Sequence, residues 1–178
     1  MKLVLLLVAL LTTSAQAQTP SVSRADDVTT LDGIMKAYYD VVSGPVGSLP
    51  DVARDQRLHH PNAQVTLLDR KADGSATVNV TTLAGYYQRG GTGPRTRAFY
   101  EREISRETQR IGALVHVWST YEYSEAPAGP PAGRGINSIQ MYFDGQRWWI
   151  LGWVYDDERN GGRVPPEEFD RLTSGENP

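Results

Sequence analysis

The stretch INSIQMYFDGQRWWILGWVYDDE, Ile136 to Glu158, constrains the fold more than any other part of the chain. Asp144-Gly145 between two β-rich runs predicts a hairpin closed by a two-residue turn. That register sets Phe143 opposite Gln146, Met141 opposite Trp148 and Ile139 opposite Ile150. One face then carries Ile139, Met141, Phe143, Trp148, Ile150 and Val154, with Asn137 as its amide. The other carries Ser138, Gln140, Tyr142, Trp149, Leu151, Trp153 and Tyr155. A half-exposed antiparallel sheet is apolar on one side only, so a hairpin rich in large side chains on both sides needs two covers. Helices can supply one. Each aromatic buries roughly 150–250 Å², and a Trp149, Leu151, Trp153 and Tyr155 patch is large for a free surface. A second copy packed sheet to sheet is the expected second cover, two-fold homodimers being common. The C-terminal tail folding back is the alternative.

The chain of 178 residues suits one domain with its own core. Its start, MKLVLLLVALLTTSAQAQ, has the three parts of a secretory signal: Lys2, the apolar run Leu3 to Leu11, and Ala15-Gln16-Ala17 as a cleavage site. The run is too short for a membrane span. The expected organisation is a signal peptide over 1–17, a leader over 18–26, a domain over 27–160 and a tail over 161–178. Loss of Lys2 takes the formal charge from −3 to −4. A mildly acidic chain without a basic run speaks against nucleic acid as partner, and no membrane association is expected after signal removal. Cysteine is absent, which removes disulfides, thiolate metal sites and a cysteine nucleophile together. Export to a bacterial periplasm fits both features.

Helical spacing of Leu31, Ile34, Met35, Tyr38, Val41 and Val42 predicts a first helix, started by Asp27 and stopped at Gly44-Pro45. Pro50-Asp51 opens a second, which ends before Pro61. Ala63 to Leu68 and Thr77 to Val80 read as strands around an Asp73-Gly74 turn, and Leu83 to Gln88 as a short helix. Strands are expected over Phe99 to Arg106 and over Ile111 to Tyr123, then a loop, APAGPPAGRG, and the hairpin. Pro165-Pro166, Glu167, Glu168, Phe169 and Leu172 suggest a last helical turn. Helices first and antiparallel strands after them give an α+β domain.

LHHPNAQV entering a strand, FYEREISRETQRIGALVHVWSTYE, and RGINSIQMYFDGQRWWIL make the chain resemble the nuclear transport factor 2-like superfamily, which includes SnoaL-like and ketosteroid isomerase folds. They look most like an exported bacterial branch of mostly unassigned function. The resemblance implies a cone-shaped half-barrel: a curved antiparallel sheet with N-terminal helices closing a pocket, and dimers through the outer sheet face. It does not imply an activity, because the scaffold hosts enzymes and binders alike. The isomerase type needs a carboxylate base beyond Pro61-Asn62-Ala63, where this chain has Thr66-Leu67-Leu68, with Asp69 one or two residues late. Tyr38 matches that type's tyrosine.

Tyr38, His116, Trp118 and Asn137 are the candidate pocket-lining residues, with Glu101 and Glu103 near the rim. Glu101 and Glu103 share a strand face, and crowded carboxylates suit acid–base work; a solvated, salt-bridged strand is the plainer reading. His116, in the most apolar strand, reads as a general base or as a buried structural histidine. Asn137 can orient a ligand among apolar walls or merely satisfy backbone at a strand start. His59-His60 is poorly spaced for a metal, and Asp156-Asp157-Glu158 lacks a calcium loop, so neither metal nor cofactor is expected. The function read from the sequence is an exported binder of a small apolar or amphipathic molecule, without assigned catalysis. A cofactor-independent isomerase, dehydratase or hydrolase using a His or Glu base is one alternative. A protein-interaction module using the outer sheet face is the other.

Overall fold

The computed structural model describes residues 25–90 and 92–168. The expected signal, the leader through residue 24, and Phe169 and Leu172 lie outside the described residues. Among the described residues there are three α-helices: α1 (Leu31–Val42), α2 (Val52–Leu58) and α3 (Leu83–Gly90). Six strands follow the chain as β1 (His59–Arg70), β2 (Ala76–Thr82), β3 (Tyr100–Ile111), β4 (Leu114–Ser124), β5 (Gly133–Phe143) and β6 (Trp148–Asp157). They form one sheet in the order β2-β1-β6-β5-β4-β3. All pairings are antiparallel except β1 with β6, which are parallel. The expected α+β half-barrel is therefore present as a curved sheet of mixed direction that stays open at β2 and β3.

Thr30, not Asp27, starts α1: its hydroxyl accepts the Gly33 N–H at 2.9 Å. Asp27 sits in a preceding 3-10 turn, Ala25–Val28, and clamps Arg54 of α2 through two hydrogen bonds of 2.8 and 2.9 Å. Asp51 caps α2 by accepting the Arg54 N–H. On α1 the residues Ile34, Met35, Ala37, Tyr38 and Val41 are buried and meet Val65, Val117, Ile139, Met141 and Ile150 of the sheet. The core lies between α1 and one face of that sheet.

Two turns differ from the sequence expectation. β3 runs on to Ile111, and the chain reverses at Gly112, whose positive φ of 56° favours glycine, so the predicted Ile111 to Tyr123 strand begins at Leu114. The β5–β6 turn holds four residues rather than two. Asp144 accepts the backbone N–H groups of Gln146 and Arg147, both at 2.8 Å, and Phe143 faces Trp148 instead of Gln146.

A second irregularity decides the tryptophans. Met141 pairs with Ile150 and Gln140 with Gly152, so Leu151 is an extra residue on β6. Such a bulge reverses the alternation beyond it. Trp148, Ile150 and Trp153 all point into the core. The expectation that Trp153 shares an outer face with Trp149 and Leu151 is corrected accordingly. Trp149 does face outward, under the Arg147 guanidinium at 3.6 Å, with its indole N–H donated to Asp144 at 2.7 Å. Its half-buried ring is partly covered by its own hairpin.

Candidate functional site

The open end of the cone encloses a chamber of about 130 Å³ between α1, α2, α3 and the inner face of β3–β6. Tyr38, Tyr86, Phe99, Tyr121, Trp153 and Tyr155 supply its rings, and Asp55, Glu101, Asn137 and Arg159 its polar groups. Ring contacts fix the walls: Trp153 lies edge-on to Tyr38 at 6.5 Å and to Tyr86 at 5.5 Å, and Tyr155 tilts against it at 6.0 Å. Val42, Tyr86 and Phe99 also line a wider cleft of about 480 Å³ beside α3 and the loop carrying Arg95. The rings of Tyr86 and Phe99 thus stand between the chamber and the larger opening.

Glu101 is the unusual group. It opens β3 with its backbone N–H held by the Ser43 hydroxyl at 2.9 Å, and its side chain is 10 % exposed. The carboxyl accepts no hydrogen bond among the described residues; its ionic contact is Arg159, at 3.9 Å. Burial raises its pKa to about 7, opposed by Arg159 and assisted by Asp157. Arg159 donates two hydrogen bonds to Asp157 and reaches Glu101 only through that 3.9 Å ionic contact. A carboxyl that changes charge near neutrality inside an aromatic chamber is a functional-site signature.

Glu103 is placed differently. Tyr38 donates to Asn137 Oδ1 at 3.2 Å, and Asn137 Nδ2 donates to the Tyr39 oxygen at 3.1 Å. Tyr39 and Ser119 share a 2.7 Å bond, and Ser119 donates to Glu103 Oε1 at 2.5 Å. Since the Ser119 proton goes to Glu103, Tyr39 donates to Ser119 and every donor in the relay points toward that carboxylate. Arg106 closes it with bonds of 2.6 and 3.1 Å to Glu103 and one of 2.8 Å to Asp32. The relay fixes the Tyr38 phenol against the chamber, and burial holds that phenol's pKa well above its usual value.

A second fixed group borders α2. Trp153 Nε1 donates to His59 Nε2 at 3.0 Å, so the ring proton sits on Nδ1, which meets the Asp55 carbonyl at 2.9 Å. Tyr87 donates to Asp55 Oδ2 at 2.8 Å. His59 is therefore a buried structural residue.

Of the six candidate residues, Tyr38, Asn137 and Glu101 meet in the chamber, and Glu103 stands behind it in the relay. His116 and Trp118 do not belong there. They alternate with the buried Val115 and Val117 and project from the opposite face of β4. His116 Nε2 lies 3.0 Å from the Ser138 hydroxyl, and Trp118 donates to Glu168 at 3.2 Å. Glu101 and Glu103 do lie on an edge strand and are salt-bridged, to Arg159 and Arg106, but they are largely covered rather than solvated. Asp55, Trp153, Tyr155 and Arg159 were missed; the spacing of Asp55 and Tyr87, one on each short helix, carries no motif. Asp69 is exposed on β1, opposite Thr77 of β2.

No protein-family model matches the chain, and no curated relative does. Among solved structures, it is similar to a protein of unknown function with a cystatin-like fold from Nostoc punctiforme. Identity there is 11 %, with 70 % of this chain and 87 % of that one covered, at a TM-score of 0.50. A nuclear transport factor 2-like protein of unknown function from Methylobacillus flagellatus aligns at 16 % identity, over 78 % of this chain and 97 % of that one, TM-score 0.44. Another, from Cytophaga hutchinsonii, aligns at 12 % identity over 68 % and 87 %, TM-score 0.44. At these identities the likeness extends to the fold alone, a curved open α+β sheet as in the Nostoc protein with its cystatin-like fold.

Proposed function

We propose that this chain is an exported binder of one small amphipathic molecule, held in the aromatic chamber between α1 and the sheet. The observation that carries the reading is Glu101: a buried carboxyl without a hydrogen-bond donor, set among six rings and beside a fixed phenol. Sites of this kind join apolar walls to a few oriented polar groups. The chamber of about 130 Å³ is well below the roughly 300–1,000 Å³ of sites for drug-sized ligands, so the ligand is no larger than about one ring unless Tyr86 or Phe99 moves. Export rests on the N-terminal signal pattern alone.

Native mass spectrometry of the full chain expressed in a bacterium with its signal intact tests the reading. A retained molecule of small mass, lost on Glu101→Leu, is expected. A bare wild-type chain with an intact Met1 would count against both parts of the proposal. A second reading has its own observation: a carboxyl with pKa near 7 is matched to proton transfer at neutral pH. In that reading Glu101, not His116, is the general base.

A further inference from the structure

We infer that the chamber selects a small organic cation, an amine or quaternary ammonium, with Glu101 as its counter-ion; this rests on the chamber being the binding site. Three observations carry it.

The first is charge. The carboxylates of Glu101 and Asp55 line the chamber, with Asp157 behind them, and the guanidinium set among them is Arg159. Arg159 is already committed to Asp157 by two donated hydrogen bonds. An anion entering here meets surplus negative charge, and a neutral molecule leaves an ionised Glu101 with no closer partner than Arg159 at 3.9 Å, which is costly. A cation answers both.

The second is the walls. Ring faces attract cations electrostatically, most strongly when water is excluded. The chain shows this preference in its own packing: the Arg159 guanidinium lies 4.4 Å from the Tyr123 ring and 4.9 Å from Phe99 at the chamber margin. The third is hydrogen bonding. Tyr38 spends its proton on Asn137, which leaves its oxygen as an acceptor, and Glu101 adds two more acceptor atoms. A primary ammonium with three donors fits that set, and a methylated one fits the rings.

Charge on Glu101 then sets affinity. The groups facing it are Tyr38 from α1, Asp55 from α2, Tyr86 from α3, Tyr121 from β4, Tyr155 and Asp157 from β6, and Arg159. Burial raises the phenols Tyr38, Tyr86 and Tyr121 above their usual range, so Glu101 is the chamber group whose charge changes around neutrality.

The test is calorimetric titration of the full chain with tetramethylammonium chloride and with tert-butanol, its neutral isostere, against a sodium chloride control. Chemical-shift mapping of the indole N–H groups locates binding. At about pH 8.5 tetramethylammonium is expected to bind at least ~10-fold tighter than tert-butanol. At about pH 5.5 the preference falls by ~10-fold or more as Glu101 takes up a proton. Glu101→Gln, checked for folding by circular dichroism, removes the preference and keeps tert-butanol binding. Tyr155→Leu weakens the cation and not the alcohol. Equal binding of both probes at the Trp153 signal overturns the cation inference and leaves the chamber standing. Absence of any shift at Trp153 with either probe overturns the chamber reading as well.

Discussion

The residue that ties this fold to chemistry is Glu101, and its environment makes a prediction about stability that needs no ligand. Its carboxyl is pushed from 4.5 to about 7 by burial. A raised carboxyl pKa means the folded state holds a proton that the unfolded chain has released between those values. Stability from this group is therefore complete below about pH 4.5 and is lost as pH rises through about 7. At about 1.4 kcal/mol per unit, the loss is about 3 kcal/mol. Glu101→Gln keeps the shape without the charge. In urea unfolding at about pH 5.5 and about pH 8.5, the variant should gain roughly 2–3 kcal/mol relative to wild type at the higher pH. Parallel pH profiles for the two proteins would show that the carboxyl is solvated after all. Sequence placed Glu101 and Glu103 on one face correctly, because strand alternation alone decides that. It could not tell the two apart, since the difference lies in what α1 offers each of them: Tyr39, with Ser119 of β4, to Glu103, and ring faces to Glu101.

At the scale of elements, the decisive feature is β6. Alternation in WWILGWVYDD predicts Trp148 and Trp153 on opposite faces, and both are inside, because Leu151 is extra. Gly152, a glycine inside a strand, is the one local sign of such a bulge. The partner strands impose it: parallel β1 comes against β6 where Gly152 pairs with both Gln64 and Gln140. A Cβ on Gly152 would lie 2.4 Å from the Gln64 carbonyl oxygen. That contact is with backbone, so it cannot be relieved by a rotamer change. Gly152→Ala should force β1 off β6, turn Trp153 away from His59, and cost at least about 2–3 kcal/mol. Near-ultraviolet circular dichroism of the tryptophans and a thermal melt read both consequences. A variant with wild-type melting and an unchanged tryptophan signal would mean that the bulge is not held by this close approach. The helices, by contrast, were legible to within a few residues, since α1 and α2 carry their apolar spacing and their caps in sequence. The one misplaced cap, Asp27, lies three residues before Thr30. Both side chains can accept at a helix start, and the better claim on Asp27 belongs to Arg54.

At the scale of the whole molecule, the outer sheet face remains to be explained, with different residues from those the sequence suggested. Trp153 is inside and Trp149 is half-buried under Arg147, so the two do not form one outer patch. What remains outside is Leu151, Val154 and Ile136 at the sheet centre, half-buried, and Trp118 and Leu114 more exposed on β4. The chain's own tail takes part of this surface, as the alternative reading had it. Val164 is buried there, and Glu168 receives hydrogen bonds from Trp118 and Thr120, both at 3.2 Å. The rest forms a shallow groove across β1, β6 and β5, floored by Thr66, Gln140, Leu151 and Val154. A second copy related by a two-fold axis would lay this groove on itself, so that Leu151 and Val154 meet their counterparts near the axis. Placing one carboxylate there puts two close together across that axis, desolvated and unpaired, which costs several kcal/mol. For the dimer proposed in this way, Leu151→Asp should shift the chain to monomer in sedimentation velocity without loss of the folded near-ultraviolet spectrum. A wild-type chain that sediments as a monomer at every concentration would reject the sheet-to-sheet dimer. The groove would then be an ordinary surface of scattered apolar groups, with residues 161–168 of the tail as the cover this face has among the described residues.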